Sequence, residues 1–250
     1  MGKNINEIVD VSKLEYVYQP LLNTAYWNVY GYEGLVRFVG NDDFNPEELF
    51  RKAREEDCLF EMDCHAIKNS IRNFPLFYNK GKLLFINVFP STLLNSKFEY
   101  FIEELVKEHS FIHGRIVFEI SETWEEYFSW AHPELKEKII FLKNHGFYVA
   151  LDDVGKGAAS LQNIIEYRPN YIKLDKYFAK DLAASSDKQG LVSLLTGYCN
   201  QKMILILEGI ETAVDLAQAK LLKVPIVQGY LLGEPEKIDF KQPGFNFFYG

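Results

Sequence analysis

The sequence predicts an α/β protein, a closed TIM-like (β/α)8 barrel whose first strand runs antiparallel to its neighbour. Three observations predict it. Eight apolar, β-branched runs recur along the chain, and from the second onward helical-looking segments separate them. Acidic and amide residues fall at or near the ends of those runs, where barrels of this type build their active sites. Finally, only the stretch Gln19 to Asn28 joins the first two runs. That is too short for a parallel crossover, so these two strands pair as antiparallel neighbours.

The runs are, in order, Leu14–Tyr18, Val29–Phe38, Leu83–Val88, Arg115–Ser121, Phe147–Asp152, Tyr171–Leu174, Met203–Glu208 and Pro225–Leu231. Asn45–Pro46–Glu47–Glu48 reads as a helix start, with Asn45 as N-cap, Pro46 at the first helical position and Glu48 closing a capping box. That helix is expected to run through Arg54, Phe60, Ile67 and Ile71. Another spans Leu135–Asn144 and stops near Gly146. The sequence has no repeat, low-complexity segment or clear linker, so residues 1–250 are expected to form one domain with its core at about 14–236.

Composition narrows the function classes. The chain has 250 residues and 48% hydrophobic content, enough for one sizeable core, and its aromatic content of 15% argues against disorder. A net charge of -8 makes it a poor binder of polynucleotide, because phosphate contacts need Lys and Arg. A small anionic nucleotide could still bind where local cations or metals offset that charge. Cys58, Cys64 and Cys199 show neither a disulfide framework nor a zinc-type C-x-x-C pair. Met1–Asp10 has no apolar signal core, and no apolar run approaches the roughly 20 residues of a membrane span. A cytoplasmic location without membrane insertion is expected.

The acids carry the functional signal. Glu33 lies in the second run, Asn87 near the end of the third and Glu119 in the fourth. Asp152 and Asp153 end the fifth, Lys173 and Asp175 mark the sixth, Glu208 ends the seventh, and Gln228 lies in the eighth. At the C-terminal ends of barrel strands these residues would meet in one mouth. Two carboxylates about 4 Å apart repel by roughly 4 kcal/mol at an effective dielectric of about 20. Five of them with one lysine require either protonation of some or divalent cations between them. Oxygen ligands suit Mg²⁺ or Mn²⁺. The Asp152–Asp153 pair suits two nearby metals, a recurring device for phosphodiester hydrolysis. One acid at a strand end is more often a surface or capping group; the joint occurrence carries the inference.

At this point the residues resemble the EAL-domain phosphodiesterases, from Tyr18 to Pro235. The glutamate-alanine-leucine signature is Glu33–Gly34–Leu35 here, preceded by Tyr18–Gln19–Pro20 and followed by Val36 and Arg37. Ile86–Asn87–Val88, Phe118–Glu119–Ile120–Ser121–Glu122 and Leu151–Asp152–Asp153–Val154–Gly155 are similar to the next three motifs. Ile172–Lys173–Leu174–Asp175, Glu208–Gly209–Ile210–Glu211–Thr212 and Gln228–Gly229–Tyr230 complete the series. The resemblance implies hydrolysis of cyclic di-GMP to linear pGpG with two Mg²⁺ or Mn²⁺ ions. It implies metal ligation by Glu33, Asn87, Glu119 and Asp152 at one site, and by Asp152, Asp153 and Glu208 at the other. Lys173 would position the attacking water, and Glu122 would prop the loop after the aspartates. Glu211 joins Glu33, Lys173, Glu208 and Glu122 among the catalytic candidates. Gln19, Leu35, Arg37, Asp175, Gln228 and Pro235 would face the dinucleotide, with Arg37 offering a forked donor to phosphate. A homodimer is implied by the resemblance alone.

The chain departs from the family pattern in two places. Gly34 replaces alanine, a loss of one methyl group that should be tolerated. The loop Asp153–Val154–Gly155–Lys156–Gly157–Ala158–Ala159–Ser160 has valine, lysine and alanine where the family usually has phenylalanine, threonine and tyrosine. Lys156 adds a cation near the mouth, and the changes bear on turnover and dimer coupling without deleting a metal ligand.

Other features are set aside. Gly155–Lys156–Gly157 lacks phosphate-loop spacing. His109 and His113 have no third ligand and read as solvent-facing helix positions. Asp63–Cys64–His65 reads as helix packing and surface, Tyr26–Trp27 as hairpin packing, and Phe245–Tyr249 as a packing tail. Two competing readings remain. A family member that binds the dinucleotide without cutting it is supported only by the altered loop. A glycosidase using Glu119 and Glu208 leaves Asn87, the Asp pair and Lys173 unexplained.

Overall fold

The computed structural model describes residues 11–38, 46–76, 81–156, 160–200 and 202–238. Eight strands close a barrel in sequence order: β1 Leu14–Asn23, β2 Asn28–Phe38, β3 Leu83–Val88, β4 Ile116–Ile120, β5 Tyr148–Val154, β6 Tyr171–Leu174, β7 Ile204–Leu207 and β8 Ile226–Val227. β1 is antiparallel to both β2 and β8, and the other neighbours are parallel. The expected antiparallel start is therefore present. β1 is longer than its apolar run, and the link to β2 shrinks to a tight turn. There Asn23 Oδ1 accepts the Ala25 and Tyr26 amides at 2.9 and 3.1 Å, an arrangement for which asparagine is suited. Tyr26 is exposed rather than packed, whereas Lys220 Nζ sits 4.6 Å over the Trp27 ring.

The helices are α1 Pro46–Glu55, α2 Leu59–Asn73, α3 Pro90–Leu93, α4 Phe98–Glu108, α5 Tyr127–Trp130, α6 Leu135–Asn144, α7 Ser160–Tyr167, α8 Ser186–Cys199 and α9 Ala213–Leu221. The helix from Leu135 to Asn144 has the expected bounds, and Gly146, at φ 77°, ends it. The expected single helix through Ile71 is instead two. Asp57 takes a left-handed φ of 55° and breaks it between α1 and α2. The proposed N-cap Asn45 lies outside the described residues, as do Met1–Asp10 and the tail Phe245–Tyr249. The eighth run supplies only two strand residues. It turns away at Gly229, where a Cβ would lie 2.1 Å from the Ile210 carbonyl oxygen. His109 and His113 are not in an α-helix: His109 caps α4 half-buried, and His113 Nδ1 meets the His145 carbonyl at 2.8 Å.

Two apolar cores hold this frame. The larger fills the layer between sheet and helices, with Ile67, Leu84, Phe98, Ile102, Phe118, Leu142 and Ile172 among its fully buried members. The smaller plugs the barrel lumen with Leu21, Phe85, Val117, Ala150, Tyr171, Ile206 and Ile226. In the plug the Phe85 and Tyr171 rings meet edge-on at 5.3 Å, and the Tyr30 and Tyr171 hydroxyls share a 2.8 Å hydrogen bond. Full burial of each large side chain contributes about 1.5–3 kcal/mol. The plug also closes one end of the barrel, so chemistry is confined to the other.

Candidate active site at the barrel mouth

Alternate residues of a strand point to the same face. Each strand that places an apolar residue in the plug can therefore present its next inward residue to the mouth. Glu33 on β2, Asn87 on β3, Glu119 on β4, Asp152 on β5 and Lys173 on β6 do so, and Glu208 and Gln228 directly follow β7 and β8. Asn87 and Glu119 are register partners, which fixes them at the same height.

Lys173 is the centre of the group and is buried. Its Nζ lies 2.8 Å from Glu208 Oε1, 2.9 Å from Glu119 Oε1, 3.2 Å from Asp152 Oδ1 and 3.4 Å from Glu33 Oε2. Burial by itself would lower the pKa of this ammonium. The surrounding carboxylates, Asp152 and Glu119 foremost, hold it well above its ordinary value. The carboxylates respond unequally. Burial raises Glu119 well above the usual range, with repulsion from Glu33 adding to it. Burial likewise raises Asp152 and pushes Glu208 up to about 8. For Glu33, burial is outweighed by Lys173 and by side-chain hydrogen bonds, so its pKa is lowered. Burial thus favours the neutral form of three of these acids, and only Glu33 is drawn toward its charged form.

A band of amides orients Glu33. Gln228 Nε2 donates to Glu33 Oε2 at 2.7 Å and to Gln19 Oε1 at 3.0 Å. Gln19 Nε2 donates in turn to the Gly233 carbonyl at 3.0 Å. Asn87 Nδ2 reaches Glu33 Oε1 at 3.2 Å, and Ser121 Oγ lies 3.3 Å from Asn87 Oδ1. Both oxygens of Glu119, Asp152 Oδ1 and Gln228 Oε1 are buried without a directed hydrogen bond. Lys173 Nζ is at ion-pair distance from two of these atoms, Glu119 Oε1 and Asp152 Oδ1. Buried oxygens in that condition are costly.

This bears on metal binding. Among the described residues, no three His, Cys, Asp or Glu side chains stand as a ready-made metal cage; the ammonium occupies the common ground. The chemistry of the donors nonetheless fits a hard divalent cation. They are oxygen-only, carry excess negative charge and include buried acceptor atoms without partners.

The remaining expected site residues are placed as follows. Asp153 follows Asp152 with a left-handed φ of 53° and pairs with Lys156 Nζ at 3.2 Å. Glu122 accepts from Asn163 Nδ2 at 3.0 Å, which ties the loop after β4 to α7. Asp175 is buried and accepts the Tyr177 amide at 2.8 Å. Leu35 and Arg37 follow Glu33 on the same face of β2, both half-buried, and Arg37 Nη1 is 3.3 Å from the Val36 carbonyl. Pro235 is half-buried beside Glu236, whose backbone bridges Tyr18. Glu211 is exposed on the loop after β7, apart from the buried group. Asp63, which the sequence left as packing and surface, is fully buried and accepts the Phe89 amide at 3.0 Å.

Sequence reasoning missed several supporting groups. Glu126 is fully buried, pairs with Arg54, and accepts from the Ser91 amide and hydroxyl, each at 2.7 Å. It pins the turn after β4 to the start of α3. Its neighbour Glu125 is exposed, so nothing in the acidic stretch singled Glu126 out. Asn163 was likewise silent. Ser121 could have been found, because a hydroxyl two residues beyond a strand-end glutamate falls on the same face.

Fold and mouth together define a barrel with a lysine-centred carboxylate pocket at the C-terminal ends of its strands. The chain belongs to the EAL domain family, whose model matches residues 3–235. Among curated relatives, it is 28% identical over 245 residues to the probable cyclic di-GMP phosphodiesterase PdeI of Escherichia coli K12, a match covering 94% of this chain and 30% of that protein. The chain spans under a third of the length of that relative and of the E. coli cyclic di-GMP phosphodiesterase PdeF. Among solved structures it resembles the FimX EAL domain of Xanthomonas citri in complex with cyclic di-GMP. That match has a TM-score of 0.81 and 18% identity, and covers 96% of this chain and 94% of that one. It also resembles Klebsiella pneumoniae BlrP1 in a manganese and cyclic di-GMP complex, with a TM-score of 0.79 and 20% identity over 94% of this chain and 58% of that one. At these identities the structural matches establish the fold.

Proposed function

We propose that this chain is a metal-dependent phosphodiesterase that hydrolyses cyclic di-GMP to linear pGpG. The observation that carries the reading is the convergence of four buried carboxylates on Lys173, with oxygens of Glu119 and Asp152 left without directed hydrogen bonds. Family membership supplies the substrate class, since the curated relatives named above carry cyclic di-GMP phosphodiesterase in their names.

In this reading Glu33, Asn87, Glu119 and Asp152 would hold one Mg²⁺ or Mn²⁺, and Asp152, Asp153 and Glu208 a second. Bound there, the ions would bring the pKa of a water toward neutrality and clamp phosphoryl oxygens. The protein's own groups do the positioning. Gln228 and Asn87 hold Glu33 in one rotamer from two sides, so its carboxylate need not reorganise. Lys173, whose pKa the surrounding carboxylates raise, would present positive charge to the attacking water. The Glu122–Asn163 bond restrains the loop after β4 next to Asp152. Gln19, Leu35, Arg37, Asp175 and Pro235 would line the dinucleotide's path, and Glu211 would act from the rim.

Two further expectations belong to this reading. A second copy of the chain would pack on exposed apolar side chains of successive helices, Leu161 and Ile165 of α7 and Leu191, Leu194 and Tyr198 of α8. A cytoplasmic location accords with three free cysteines, and no described helix is long and apolar enough to cross a membrane.

The test is direct. Purified protein is incubated with cyclic di-GMP and Mg²⁺ or Mn²⁺, and the products are separated by chromatography. Time-dependent pGpG that EDTA abolishes is the expected result. Binding without product would instead mark a dinucleotide effector, and the absence of both binding and cleavage would overturn the reading.

A further inference from the structure

The adjacent acids at the end of β5 have separate cationic partners. Asp152 turns inward to Lys173 at 3.2 Å. Asp153 turns outward to Lys156 at 3.2 Å and is partly exposed. This second pairing is built into the backbone. Asp153 has a left-handed φ, its carbonyl accepts the Lys156 amide at 3.1 Å, and a tight turn brings the lysine back over the aspartate three residues earlier. Gly155 fixes the turn. Its φ is 100°, and a Cβ there would lie 2.4 Å from the Phe178 ring, so glycine is strongly favoured at this position.

We propose that Lys156 is an intramolecular competitor for the outer cation of the mouth. This rests on the metal-site reading above. In that reading the carboxylate of Asp153 serves the second ion, and in this structure it is already engaged by a tethered ammonium. The outer ion must displace that ammonium and then bind beside its charge. The inner ion does not use Asp153 and so does not meet Lys156; its own ligands are held by Lys173 in wild type and variant alike. Lys156 is well exposed, so the effect is moderate. Removal of its charge should tighten the outer ion by roughly three- to tenfold, the range for one partly screened charge at close quarters.

The experiment titrates metal-free protein with Mn²⁺, without nucleotide, and follows free Mn²⁺ by electron paramagnetic resonance. Wild type is compared with Lys156→Met and Lys156→Arg. The expected result is tighter Mn²⁺ binding at one site in Lys156→Met, an unchanged affinity at the other, and wild-type behaviour in Lys156→Arg. Near-ultraviolet circular dichroism of each variant verifies its fold. The difference between wild type and Lys156→Met should shrink in about 0.5 M KCl, where charges are screened beyond a few ångströms. One bound ion in wild type and two in Lys156→Met would be the strongest support. Equal Mn²⁺ affinities in wild type and Lys156→Met, or weaker binding by the variant, would overturn the competitor role and leave the metal site standing. Absence of Mn²⁺ binding in all three proteins would overturn both.

Discussion

The two ends of the barrel lumen are made by the same strands and are opposite in character. At the closed end lie Phe85, Val117, Ala150, Tyr171, Ile206 and Ile226. Two residues further along the chain from each come Asn87, Glu119, Asp152, Lys173, Glu208 and Gln228. On β1 the order is reversed, with Leu21 in the plug and Gln19 at the mouth, because that strand runs the other way. On β2 the pair is Gly31 and Glu33. A Cβ at Gly31 would meet the Leu83 carbonyl oxygen at 2.7 Å, so only glycine lets the plug close there. A single step of the β pleat therefore separates a layer that stabilises the fold from a layer that strains it. The lesson is that the apolar layer supplies the stability against which buried, mutually repelling carboxylates are held together.

The contrast can be broken most forcefully at the mouth. Glu33→Ala should reduce metal-dependent turnover by at least about a thousandfold while the protein stays folded. Product chromatography beside thermal denaturation checks this, and unchanged turnover would remove Glu33 from the site. The plug should behave in the opposite way. Phe85→Ala leaves a cavity in a close-packed layer and should cost about 3–5 kcal/mol of stability, read from urea unfolding.

Asp63 sharpens the comparison, because it is a buried acid outside the barrel with no lysine at its centre. Burial pushes its pKa up to about 7. The folded state thus binds its proton more tightly than the unfolded chain. This contribution is full below pH 4 and is lost as pH rises through 7. Asp63→Asn should therefore flatten the fall in stability between about pH 5 and pH 8 by on the order of 2 kcal/mol, measured as the difference between variant and wild type. A parallel pH dependence in both proteins would show that Asp63 does not titrate there.

The smallest effect is expected at Gly34. A Cβ there would sit 3.5 Å from Ser70 and Leu84, an ordinary contact, and the φ is not left-handed. Gly34→Ala should raise stability by about 0.4–1 kcal/mol through the unfolded chain and leave turnover unchanged. Loss of activity in that variant would mean that the glycine serves the mouth.

Much of this was legible in the linear chain. Strand runs such as Leu83–Val88 and Tyr171–Leu174, the helix Leu135–Asn144 and the antiparallel start all follow from local pattern and connection length. The break at Asp57 was not legible, since α1 and α2 carry one continuous helical pattern and the left-handed residue is not glycine. Pro225–Leu231 reads as a full strand, yet packing of Gly229 on Ile210 cuts it to two residues.

By itself, then, the sequence determined the number and order of strands, their alternation with helices, and which polar residues end them. These are properties of neighbours along the chain, set by side-chain period and backbone propensity. Only the tertiary structure decided that four acids share one lysine, that Asp152 and Asp153 face different cations, and that Glu126 and Asp63 are buried while Glu211 is not. Those outcomes depend on distances between residues far apart in sequence, and on how much water the closed barrel leaves around each charge.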